Sequence, residues 1–130
     1  MNALHFWLGH AVVILGVAAL GYALWGMAGK RPYKKRMWDM ASAFVIGLYL
    51  QIVTGFFVIF STTNRSFDRS LGFHMVLSMA ATALAHFTYS VSRRRPREDR
   101  TYSTHVWGVG IALALLAGGI LVILVSNQRA

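Results

Sequence analysis

Five histidines carry most of the chemistry this chain can offer: His5, His10, His74, His86 and His105. Each lies in a stretch without Asp, Glu, Lys or Arg. Taken singly, such a residue reads most plainly as a side chain bonded to a backbone carbonyl or reaching for an interface. Taken together they form a set, and the available partners limit what it can do. The chain has no cysteine, which excludes disulfides, iron–sulfur clusters, thiolate zinc sites and cysteine nucleophiles. No carboxylate shares the charge-free stretches, so a zinc or copper shell lacks ligands and a proton relay lacks its usual acid. Two neutral imidazoles on facing helices, however, can hold a haem iron from both sides.

The elements that must position these residues follow from the charge pattern. The chain has 130 residues, is 56% hydrophobic and carries a formal charge of +9. Its length fits one domain. Its hydrophobicity leaves too few polar residues to cover a small soluble sphere and excludes intrinsic disorder. The charge-free stretches are residues 1–29, 40–64, 70–92 and 101–128. A helix needs about 20 mainly apolar residues to cross the hydrocarbon core, so each stretch suffices. The sequence predicts an all-α fold: an integral membrane four-helix bundle, up-down-up-down, in one transmembrane domain over residues 1–130. Its helices are expected over about 6–28, 41–60, 71–91 and 106–125. Pro32 and Pro96 break the first and third connections, and a short polar turn makes the second.

Orientation follows from Lys and Arg. Ten lie in the first and third connections, against Arg65, Arg69 and Arg129 on the other side. That bias places the basic loops in the cytoplasm and both termini outside. The compact loops and strong bias suit a prokaryotic cytoplasmic membrane. The high pI is then a matter of topology and of attraction to anionic lipid, not of nucleic-acid binding. The basic cluster follows the first apolar stretch, so the N-terminus reads as a retained helix and not a cleaved signal. Trp25, Trp38, Trp107, Tyr33 and Tyr102 form an aromatic belt near the cytoplasmic interface, with Trp7 near the other.

In this topology the histidines fall at two levels. His10 and His74 lie near the outer ends of the first and third helices. His86 and His105 lie near the inner ends of the third and fourth. His74 and His86 are about 18 Å apart along the axis and about 120° around it, so they face different neighbours. This arrangement suits two separate sites, His10 with His74 outside and His86 with His105 inside, each a pair that could serve as axial ligands to a haem iron. His5 is about 140° around the helix from His10 and competes for the outer site. His10 is preferred because it lies deeper and beside Gly9. His5 is left as an interfacial side chain or a quinone contact. Gly9, Gly16, Gly47, Gly55, Gly72, Gly108 and Gly110 could open slots for the macrocycle, or simply let helices pack closely. Arg65, Arg69 and the basic loops could pair with haem propionates. Gln51, near the middle of the second helix, reads as an interhelical hydrogen-bonding group.

The segments around His10, Phe73-His74-Met75, Ala85-His86-Phe87 and Thr104-His105-Val106 resemble dihaem b-type membrane cytochromes of the cytochrome b-561 kind. The resemblance covers all four helices and rests on histidine placement. It implies two haem b groups and electron transfer across or along the membrane. It further implies a link to quinol, a redox partner protein or a larger respiratory-type complex, with a quinone as a further candidate ligand. The expected role is electron carriage and not that of a stand-alone enzyme. The alternative is a cofactor-free structural or assembly subunit of a larger membrane complex, with the histidines as hydrogen-bonding glue. A small multidrug-type transporter is disfavoured, because no helix holds an acidic residue.

Overall fold

A computed structural model of the chain describes residues 3–62 and 67–129. Arg65, counted above among the outer basic residues, lies outside the described residues. Four helices form: α1 (Ala3–Ala28), α2 (Lys35–Ser61), α3 (Arg69–Arg94) and α4 (Tyr102–Arg129). A 3₁₀ turn, Arg97–Asp99, precedes α4. No strand occurs among the described residues. All four helices are long and apolar enough to cross a membrane, as the charge-free stretches predict.

Every helix except α1 at its C-terminal end runs past its predicted core, into polar or basic flanks. Charge removes a residue from the hydrocarbon but does not break a helix. At the start of α2, Lys35 and Asp39 form an ion pair at 3.2 Å, one turn apart. At the start of α3, Asp68 caps the helix by accepting the Leu71 amide at 2.8 Å. At its other end, Arg93 and Arg94 sit in the last turn, where positive charge suits the helix dipole. The α1 terminus closes with two reversed bonds. The Arg31 amide donates to Gly26 O at 3.0 Å and the Lys30 amide to Met27 O at 3.2 Å. This is a Schellman turn, and its left-handed residue is Lys30, with φ of 47°.

The helices form a ring in chain order, α1 against α2, α2 against α3, α3 against α4, and α4 back against α1. Across the ring α2 and α4 approach each other, whereas α1 and α3 do not. The α2–α3 seam is the loosest of the four. Small residues line the contacts: Ala19, Ala23, Ala81, Ala85 and Ala112 are buried, around Phe44, Leu48 and Met37. Large apolar side chains such as Trp7, Phe57, Phe60, Phe87 and Trp107 point outward. Small residues inside and large apolar ones outside is the pattern expected when lipid is the solvent. Two glycines show how close the approach is. A Cβ on Gly26 would lie 2.6 Å from the Tyr102 ring, and one on Gly108 would collide with Thr88.

The buried and half-buried inward positions give each helix a heptad-like stripe, with His5, Gly9, His74, Ser78 and Gln51 half-buried. On α1 the stripe is His5, Gly9, Val12, Gly16, Ala19, Ala23 and Gly26, alternating steps of four and three. On α3 it is Leu71, His74, Ser78, Ala81, Ala85, Thr88 and Ser92. Gln51 lies on the stripe of α2 and His105 on that of α4. His10 and His86 lie off these stripes, and both are exposed.

Candidate cofactor site

The stripes decide which histidines look inward. At the end of the bundle away from the basic connections, His5 of α1 meets Gln51 and Thr54 of α2, and His74 of α3 lies on the inward stripe at the same end. Thr54 Oγ1 donates to Gln51 O at 3.1 Å. Its lone pair is therefore open to His5 Nδ1–H, 3.2 Å away. The Gln51 amide donates to His5 O at 3.1 Å and approaches His5 Nε2 at 3.3 Å. Gln51 Oε1 is buried without a partner. On the far side, His74 Nδ1 lies 3.1 Å from Gly119 O of α4. A carbonyl can only accept, so this Nδ1 carries the proton and Nε2 carries the lone pair.

Both imidazoles thus have Nδ1–H held by protein oxygen and a lone pair on Nε2. That is the tautomer a metal-ligating histidine needs, with the orienting bond already made. They stand on α1 and α3, the two helices that do not meet across the ring.

His10 is placed differently from the expectation. It sits on the exposed side of α1, with Nδ1–H donating to Phe6 O at 2.9 Å. Its ring lies against Phe6, at 4.4 Å between centroids, on its own helix. No hydrogen bond or ring contact joins it to His74 among the described residues. The space beside Gly9, which had favoured His10, is filled by Gln51.

The other expected pair, His86 and His105, is also turned apart. His105 is 0% exposed. Its Nε2 is bonded to the Tyr33 hydroxyl at 2.8 Å and lies 3.3 Å from Ser92 Oγ. Its Nδ1 is buried with no partner. The Tyr33 ring stacks on it, at 5.7 Å. Tyr33 lies in the α1–α2 connection, and burial pushes its phenol above the usual tyrosine range. His86 instead faces the α2–α3 groove, with Nδ1 2.9 Å from the Tyr49 hydroxyl. No hydrogen bond or ring contact joins His86 to His105 among the described residues.

The glycines expected to open slots are packed against this chain's own side chains. Gly55 faces His5, Gly16 faces Leu113 and Phe44, Gly47 faces Val12 and Gly108 faces Thr88. Gly72 and Gly110 have ordinary contacts with Phe67 and Leu20. No cluster of three or more His, Asp or Glu able to hold a metal ion occurs among the described residues. A pair of axial histidines is a smaller ligand set than that.

Comparison with protein-family models, with curated proteins and with solved structures finds no match to this chain.

Proposed function

We propose that this chain is a membrane b-type cytochrome with one haem at its outer level, held by His5 and His74. One observation carries the reading. Two inward imidazoles on opposite helices both present an Nε2 lone pair, with Nδ1–H already bonded to Thr54 and Gly119. A haem bound there would supply one-electron carriage. The protein's part is to orient both rings and to keep water from them with the small-residue packing of the bundle. Gln51 covers His5 Nε2, so Gln51 competes for that ligand position. His10, His86 and His105 have no ligand role in this reading. The lopsided distribution of Lys and Arg supports a cytoplasmic membrane of prokaryotic type with both termini outside.

The test is a pyridine haemochrome count on protein purified in mild detergent. Wild type should hold one haem b per chain. His5→Ala and His74→Ala should each lose it, and His10→Ala should keep it. Gln51→Ala should hold haem at least as well as wild type.

A second reading is favoured by the filled glycine spaces: a cofactor-free subunit whose outer polar cluster ties three helices together. On that reading wild type purifies without haem. His5→Ala, His74→Ala and Gln51→Ala then all lower thermal stability, with no change in the visible spectrum.

A further inference from the structure

The loose α2–α3 seam leaves a groove of about 630 Å³ on the surface of the bundle. Its walls are apolar for most of their length, with Ile52, Met79 and Phe87 among them. Along α3, however, His86, Ser90 and Arg94 line it at successive turns. Four residues rise about 6 Å, so the three groups descend from the membrane surface in steps of one turn. Tyr49, 46% exposed, stands opposite on α2 and bonds His86. A polar pair facing lipid about 12 Å in from Arg94 is costly unless something meets it. No acidic residue lines the groove, and Arg94 forms no ion pair among the described residues.

A glycerophospholipid carries its groups in the matching order. The phosphate lies at the surface, the ester carbonyls about a turn deeper, and then the acyl chains. We infer that this groove holds one acidic phospholipid from the leaflet on the side of the α1–α2 and α3–α4 connections. Arg94 and Ser90 take the phosphate. With the Tyr49 hydroxyl donating to His86 Nδ1, His86 Nε2–H donates to an ester carbonyl. One acyl chain runs along Ile52, Met79 and Phe87. Charge complementarity selects the occupant. The Arg94 guanidinium offers forked donors to a phosphate, and the adjacent Arg93 and Arg95 favour a net negative lipid. The site shares no residue with the proposed haem site, so the two stand or fall separately.

The experiment uses the full chain reconstituted in nanodiscs of equal phosphatidylglycerol and phosphatidylcholine. After transfer to mild detergent, native mass spectrometry counts the lipids each chain retains. Wild type should retain one phosphatidylglycerol, preferred several-fold over phosphatidylcholine. Arg94→Gln should lose the preference, whereas Arg97→Gln, which changes a basic residue outside the groove, should keep it. His86→Leu should lower retention. Added inorganic phosphate should displace nothing, because the acyl chain anchors the ligand. The proposal is overturned by equal retention of the two lipids, by Arg94→Gln matching Arg97→Gln, by unchanged retention in His86→Leu, or by displacement with free phosphate.

Discussion

His105 is the most deeply buried titratable side chain among the described residues, and one of the two groups that reach it comes from a loop. Tyr33 spans from the α1–α2 connection to an imidazole on α4, and Ser92 of α3 meets the same nitrogen. Tyr33→Phe removes one bond to this buried ring, which should cost about 1–3 kcal/mol, read as a lower midpoint of thermal unfolding in detergent. The pH dependence has a definite sign. Burial raises the Tyr33 phenol value in the folded state above that of the unfolded chain. The folded state therefore holds this proton more tightly. Its contribution to stability is full below the ordinary tyrosine value, about 10, and is lost as pH rises through the folded value. Tyr33→Phe should flatten that alkaline loss, and an unchanged pH profile would remove Tyr33 as its source. The sequence placed His105 in an apolar, membrane-length helix close to a basic connection. It did not show that a loop tyrosine would satisfy it, because that pairing spans 72 residues and depends on where a turn places one side chain.

At the scale of the helix, face matters more than depth. His10 is deeper than His5, and its depth and its neighbour Gly9 made it the preferred outer ligand. The stripe of small residues on α1 runs through His5 and Gly9 and misses His10. The same steps on α3 include His74 and exclude His86. This signal was present in the sequence, in the three-and-four spacing of Gly and Ala. A glycine beside a histidine marked the wrong neighbour, since Gly9 makes room for Gln51 of α2. Two substitutions on α1 test the stripe. Gly26→Ala would press a methyl into the Tyr102 ring and should destabilise by about 1–3 kcal/mol. Gly21→Ala meets open space and should be neutral or gain up to about 1 kcal/mol from helix propensity. Equal effects at the two sites would contradict the packing described. The α1 terminus offers a third test. Lys30 holds a left-handed conformation that costs a side-chain-bearing residue about 1–2 kcal/mol. Lys30→Gly should therefore raise stability by about 1 kcal/mol, partly offset by the freedom glycine gains when unfolded.

At the scale of the molecule, the number and approximate spans of the helices were legible because charge is nearly absent from the membrane segments. The ring of neighbours was expected from the short connections. Which helices would face each other across the ring was not. That depends on the rotation of each helix about its axis, and a rotation of one residue step, about 100°, decides whether a histidine meets cofactor or lipid. Orientation in the membrane can be tested directly, because the chain has no cysteine of its own. With the basic loops inside, an impermeant thiol reagent on intact cells should label Asn127→Cys and leave Arg97→Cys unlabelled. The reverse pattern would contradict the inside-positive orientation. The central claim is that His5 and His74 together ligate one haem iron. Electron paramagnetic resonance of the oxidised protein reads that ligand set most directly. Two axial imidazoles predict a low-spin ferric signal, converted to high spin or lost in both His5→Ala and His74→Ala and unchanged in His10→Ala. Absence of any haem signal in gently purified wild type, or its loss in His10→Ala with His5→Ala unaffected, would contradict the account.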